Sequence, residues 1–217
     1  MQPFNDPTFV ASYADTARKM VPGYADLHRM TAILLAEHAP AAAEILVVGA
    51  GGGLELKAFA EAEPGWRFTG VDPSAEMLDL ARRILGPLTA RADLHQGIVD
   101  AAPSGPYDGA TCLLTLHFLK RDERLSTLRE IHRRLKPGAA LVVAHHSAPD
   151  GADLHRWLTR SLAFAGKSTA ETEAATMATH LPVLTTADDE ALLREAGFSS
   201  IALFYAGFSL RGWVALA

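Results

Sequence analysis

The segment from Ile45 to Asp72 constrains the fold of this chain more than any other. Ile45-Leu46-Val47-Val48 is a short, β-branched, unbroken apolar run, the pattern of a strand buried on both faces. Gly49-Ala50-Gly51-Gly52-Gly53 follows at once, then a helical pattern from Leu54 to about Glu63. A second strand runs from Arg67 to Val71 and is stopped by Asp72-Pro73. Strand, glycine turn, helix and strand within about 30 residues make a βαβ unit. That unit commits the chain to a parallel sheet with covered faces.

The alternation continues beyond it. Ser74 is placed to cap a helix from Ala75 to about Leu85. A weak strand is expected near 92–95, a buried strand over 109–116, a helix over 121–135 stopped by Lys136-Pro137-Gly138, and a strand over 139–144. Thr186 should cap a helix ending at Ala196-Gly197-Phe198, and closing strands are expected at 201–205 and about 212–216. Residues 8–38 read as two amphipathic helical stretches broken at Val21-Pro22-Gly23-Tyr24. Residues 147–185 are Ala/Thr-rich and helical without a strand. The expectation is an α/β fold forming a single domain over 1–217, with 1–38 as a helical lid and 147–185 as an insertion over the substrate site.

Composition narrows the partners. The chain has 217 residues, 49% of them hydrophobic, and a formal charge of −5. It can bury a sizeable core, and no basic excess asks for nucleic acid or an anionic membrane. The single cysteine, Cys112, excludes an internal disulfide and a multi-thiolate zinc site. Met1 to Val10 lacks the order of a signal peptide, and no apolar stretch approaches the ~18 residues of a membrane span. A cytoplasmic protein is the expectation.

In a parallel sheet the ligand crevice lies at the carboxyl ends of the strands. Gly49, Gly51 and Gly53 sit at the first such end, where backbone N–H groups approach a ligand without Cβ interference beside a helix N-terminus. Asp72 ends the second strand, 21 residues after Gly51, placed to accept the hydroxyls of a ribose. A structural turn with a surface aspartate is the plain alternative. A nicotinamide or flavin dinucleotide is the functional rival, but its pattern needs a third glycine where this chain has Leu54, and no second dinucleotide half is evident. A ligand with adenosine and no pyrophosphate fits better.

Four motifs resemble the class I S-adenosylmethionine-dependent methyltransferases, in that family's order: Val48 to Gly53; Val71-Asp72-Pro73-Ser74-Ala75-Glu76-Met77-Leu78; Leu128 to Gly138; and Glu195-Ala196-Gly197-Phe198 through Gly212-Trp213-Val214-Ala215. The resemblance covers roughly residues 40–217. It implies a Rossmann-like, mostly parallel seven-stranded sheet with helices on both faces and the last strand antiparallel. It implies S-adenosylmethionine as cofactor, with Gly49, Ala50, Gly51 and Gly53 facing its methionine part. Asp72 and Pro73 would lie at the ribose, Met77 near adenine, Gly97, Ile98 and Val99 at the adenine edge, and Leu113 at the end of the next long strand. Two departures stand out: many members carry an acid where this chain has Val47, and an Asp where it has Ile98. They motivate the reading of a non-catalytic, adenosyl-binding subunit.

A narrower resemblance is to the carboxy-S-adenosylmethionine synthases of tRNA wobble-uridine modification, which use prephenate. It rests on Val21-Pro22-Gly23-Tyr24 and on Thr115-Leu116-His117-Phe118-Leu119 with Arg124 following. By that analogy Tyr24 closes over the cofactor, its ring against the sulfonium; a helix-break core tyrosine is the alternative. That family places an arginine near the position of Ala174-Ala175-Thr176 to meet the extra carboxylate, and this chain has none there, although Arg156 or Arg160 could reach in from another turn. A buried carboxylate without a cation is costly, so ordinary S-adenosylmethionine is expected.

Methyl transfer asks chiefly for in-line positioning, plus a base for hydroxyl or ammonium acceptors. His117, His145 and His146 end two neighbouring strands at the ligand rim and are the candidate bases, against a plain role as hydrogen-bonding rim residues. A metal held by His145, His146, Asp150 and Asp153 is disfavoured, since adjacent strand residues face opposite ways. Arg121, Arg124, Arg129, Arg133, Arg134 and Lys136 crowd one helix, but Asp122, Glu123 and Glu130 interleave with them, as on a solvated, ion-paired face. The expected partner is a small methyl acceptor, with an RNA contacting that helix as the disfavoured alternative, no membrane, and a homodimer left open.

Overall fold

The computed structural model describes residues 3–149 and 153–217. Two helices, α1 (Pro7–Met20) and α2 (Tyr24–Ala36), lead into an alternating run: β1 (Glu44–Val48), α3 (Leu54–Ala62), β2 (Arg67–Asp72), α4 (Ala75–Leu85), β3 (Ala92–Gln96), β4 (Tyr107–Leu113), α5 (Arg121–Arg134) and β5 (Leu135–His146). The chain then forms α6 (Leu154–Phe164), α7 (Ala170–His180) and α8 (Thr186–Glu195), and closes with β6 (Ser199–Gly207) and β7 (Leu210–Leu216). The sheet order is β3-β2-β1-β4-β5-β7-β6. The pairs from β3 to β5 are parallel, and β7 is antiparallel to both β5 and β6. The α/β fold with a mostly parallel seven-stranded sheet and an antiparallel last strand is therefore the one expected.

The unbroken apolar strands are explained by their two covered faces. Ile45 and Val47 pack with Leu27 and Leu35 of α2 and Leu56 and Phe59 of α3. Their neighbours Leu46 and Val48 pack with Leu128 and Ile131 of α5 and Leu192 of α8. Thus α2 packs in the sheet's own core layer, and of the N-terminal segment only the part up to its first residue, Tyr24, reaches the ligand end. Helices α6 and α7 form a hairpin through Leu158, Leu162, Ala170 and Ala174, packed on Met20 at the end of α1. Among the described residues no helix is long and apolar enough to cross a membrane.

Three local departures from expectation have physical causes. Strand β4 stops at Leu113 because Leu114 takes a positive φ of 56°, and a 3-10 turn follows over Leu116–Phe118. Strand β5 begins at Leu135, four residues early, with the pairing register shifting between Tyr107 and Gly109 to absorb the Lys136-Pro137-Gly138 kink. Helix α8 is capped by Thr185, not Thr186: the Thr185 hydroxyl accepts from the Asp188 N–H at 3.1 Å.

Candidate active site

A cavity of about 570 Å³ opens at the carboxyl ends of β1, β2 and β4. Asp72 stands in its wall, each carboxylate oxygen fixed by a backbone donor: the Gly51 N–H at 3.0 Å and the Ser74 N–H at 2.9 Å. Burial pushes the Asp72 carboxyl up, and those two amides oppose the rise. The oxygens keep free lone pairs for hydroxyl donors. A Cβ on Gly51 would lie 2.5 Å from the Asp72 carboxylate, so glycine is required for this close approach. Gly53, at φ +67°, serves a different purpose. A Cβ there would stand 2.7 Å from the backbone of Ala81 in α4, so it permits close helix packing. Gly53→Ala should cost about 1–3 kcal/mol through strain and overpacking. A thermal melt checks this, and an unchanged midpoint would refute it.

Pro73, Met77, Gly97, Ile98, Val99 and Leu113 also line the cavity. Ser74 caps α4 as expected, accepting from the Met77 N–H at 3.1 Å. Ala50 and Gly53 do not line the cavity. The side chain of Ala50 packs over Gly70 of β2, and Gly53 faces α4.

The cavity roof comes from the N-terminal segment. Phe4, Tyr13, Tyr24 and Phe118 all line it, and Phe4 stacks edge-on against Phe118 at 5.5 Å. Ser74 Oγ donates to the Phe4 carbonyl at 2.7 Å, tying this roof to the N-cap beside Asp72. Among the described residues, none from 153–185 reaches the cavity wall; Asp150 and its neighbours 151 and 152 lie outside the described residues. Arg160 is instead held over the Trp157 ring at 4.5 Å.

Glu55 and Tyr13 are wall residues that sequence reasoning did not single out, and Thr115 and Phe118 entered it only through the narrower resemblance. Glu55 is only 9% exposed, and Thr111 Oγ1 donates to its Oε1 at 2.8 Å. Burial pushes its carboxyl up to about 8, against the Thr111 hydrogen bond and with some help from Asp72. Burial likewise raises the Tyr13 and Tyr24 phenols, and Glu55 adds to both shifts. A glutamate in the first turn after a glycine motif was the available signal, but it reads equally as an ordinary helix N-terminal acid.

The three candidate histidines are not brought to the cavity. The turn at Leu114 points Thr115 and Phe118 outward and folds His117 back, 95% buried, against β5. The His146 N–H approaches His117 Nδ1 at 3.5 Å, and the two rings lie 4.8 Å apart. Burial lowers both: His146 to about 4, and His117 well below its ordinary value with help from His146, His145 and Arg124. His146 Nδ1 meets Ser209 Oγ at 2.8 Å, which meets Ser161 Oγ of α6 at 2.7 Å. His145 faces the other way, its Nε2 3.2 Å from Asp189 and its ring on Trp213. The described residues contain no cluster of three or more His, Cys, Asp or Glu able to hold a metal.

Charge in the cavity is one-sided. Glu55, Asp72, Asp100, Glu123 and Glu130 line it, and none of the described lining residues is Lys, Arg or His. Of the basic residues of α5, Arg133 and Arg134 pair with the wall residue Glu130 from outside the lining, while Arg121 and Arg129 pair with Glu195, Arg124 with buried Asp189, and nearby Lys136 with Asp108.

A glycine turn and the amide-held carboxylate of Asp72 thus stand together at the crevice of a Rossmann-like sheet. Residues 46–141 match the family model for a methyltransferase domain. It is 27% identical over 157 residues to the carboxy-S-adenosyl-L-methionine synthase of Chromohalobacter salexigens, covering 70% of this chain and 58% of the relative. It is 24% identical to that of Citrifermentans bemidjiense over 97% of this chain and 91% of the relative. Among solved structures, a candidate O-methyltransferase of Nostoc punctiforme superposes with a TM-score of 0.71 at 23% identity, covering 96% of this chain and 59% of that one. PigF with SAH superposes at 0.60 and 19% identity, covering 80% and 50%. This chain thus spans less than two thirds of the Chromohalobacter relative and of both structures.

Proposed function

We propose that the chain transfers a methyl group from S-adenosylmethionine to a small acceptor that is neutral or cationic. The observation that carries this reading is a cavity wall with five acidic side chains and no basic one among the described residues. Bound there, S-adenosylmethionine supplies an electrophilic methyl on a sulfonium that leaves as a neutral thioether. Asp72 presents lone pairs to the ribose hydroxyls, and the glycine turn lets the ligand approach the backbone. The aromatic roof excludes water and holds the acceptor in line, a contribution that requires no histidine in the wall. A carboxylated cofactor, or an acidic co-substrate such as prephenate, would bring a carboxylate with no cation to meet it.

The names of the curated relatives support a second reading, carboxy-S-adenosylmethionine synthesis. Mass spectrometry of the co-purified ligand separates the two: a mass larger by one carboxyl group overturns the methyltransferase reading. Calorimetric titration should show S-adenosylmethionine binding, and Asp72→Ala should weaken it at least roughly tenfold through lost charge-assisted hydrogen bonds. Absence of binding to the wild type would end both readings.

A further inference from the structure

We propose that Glu55 receives the α-ammonium group of the bound cofactor; this rests on the methyltransferase reading above and assigns a residue within it. Glu55 opens α3 two residues after Gly53, on the same cavity wall as Gly49 and Gly51. The residue is 91% buried, and its carboxylate is aimed by the Thr111 hydroxyl at 2.8 Å. Thr111 pairs in register with Val47, so the carboxylate stands over the β1–β4 pair on the side of the glycine turn.

The other wall carboxylates whose contacts can be followed are already engaged. Both Asp72 oxygens are held by amides at the ribose position, Glu123 accepts from the Lys120 N–H, and Glu130 pairs with Arg133 and Arg134. Glu55 has one hydroxyl donor and forms no ion pair with a described residue. A buried carboxylate without a cation is costly to ionise, and the upward push on its pKa reflects this. A ligand ammonium in the cavity supplies the missing charge, and Glu55 then gives up a proton on binding. The sulfonium is the competing positive group, but it carries no N–H donor with which to engage a carboxylate oxygen.

The test uses the full chain and the charge-deleting, near-isosteric Glu55→Gln, with far-UV circular dichroism to establish its fold. Dissociation constants are measured for S-adenosylmethionine, S-adenosylhomocysteine and 5′-methylthioadenosine, the last lacking the ammonium. The expected result is a loss of roughly 30-fold or more for the first two and less than about threefold for the third. Titrations in buffers of different ionisation enthalpy should show proton release on binding to wild type and none with Glu55→Gln. A loss confined to S-adenosylmethionine would overturn the assignment by pointing to the sulfonium. Unchanged affinities, with or without a fall in turnover, would overturn it as well. Wild type binding none of the three would instead defeat the methyltransferase reading itself.

Discussion

Asp189→Asn should lower the stability of this protein by about 3–5 kcal/mol, because it removes the carboxylate that neutralises the buried Arg124 guanidinium. Arg124 and Asp189 are 0% and 3% exposed, and their side chains are paired. Arg124 also donates to the Pro182 carbonyl at 3.0 Å, and His145 Nε2 lies 3.2 Å from the same Asp189 oxygen. Burial alone would raise the Asp189 carboxyl, but His145 and Arg124 outweigh it and hold it below its usual value. Its folded pKa is depressed, so its stabilisation is present above the ordinary aspartate range and is lost as the pH falls through the folded value. Near neutrality the uncharged amide of the variant would leave a guanidinium buried without its counter-charge. For a chain of this length the melting point should fall by roughly 6–20 °C. The double variant Arg124→Met/Asp189→Asn should recover part of that loss, since it leaves no unpaired charge. A fall below about 1 kcal/mol, or a double variant worse than the single, would contradict this account.

That cluster also marks the boundary of what the sequence reveals. The βαβ unit from Ile45 to Asp72 was legible because three independent signals agreed: a β-branched run, a glycine turn and an acid ending the next strand. The mostly parallel seven-stranded sheet with an antiparallel last strand was implied by the family resemblance, and Asp72, Met77, Ile98 and Leu113 line the cavity. The histidines did not, and the reason is one backbone angle. Strand periodicity carried through Leu114, whereas its φ of 56° reverses the chain and buries His117. No propensity marks a leucine for that conformation. Arg124 read as one of several surface cations, although Asp189, 65 residues away, draws it inside. Helical segments 1–38 and 147–185 read alike as cover for the site. Only packing shows that the first roofs the cavity through Phe4 and Tyr13 while α6 and α7 rest on Met20. The acid expected near the first glycine is absent at Val47, and a carboxylate reaches the same strand pair from Glu55 on the following helix.

Glu55→Gln should make the ligand-free protein more stable, and increasingly so as the pH rises. The Glu55 carboxyl is raised from its ordinary 4.5 to about 8 by burial. Because the folded value is the higher one, the native state keeps a proton that the unfolded chain releases. Wild-type stability is therefore full below 4.5 and declines as the pH rises towards 8, by about 1.4 kcal/mol per unit. Near pH 7 the deficit is about 3 kcal/mol, and glutamine, which does not titrate, removes it. The buried histidines act in the opposite sense. His28 and His146 are lowered by burial to about 4, so they cost stability as the pH falls from 6.5 towards that value. They are common to both proteins and cancel in the difference between their melting curves. That difference should be near zero at about pH 4.5 and several kcal/mol in favour of the variant at about pH 8. Adding S-adenosylmethionine should narrow it, since ligand binding stabilises wild type in proportion to its tighter affinity while Glu55→Gln gains little. A difference that does not vary with pH would show that Glu55 is already ionised and paired in the free protein, and would remove the electrostatic reason for assigning it a cationic ligand.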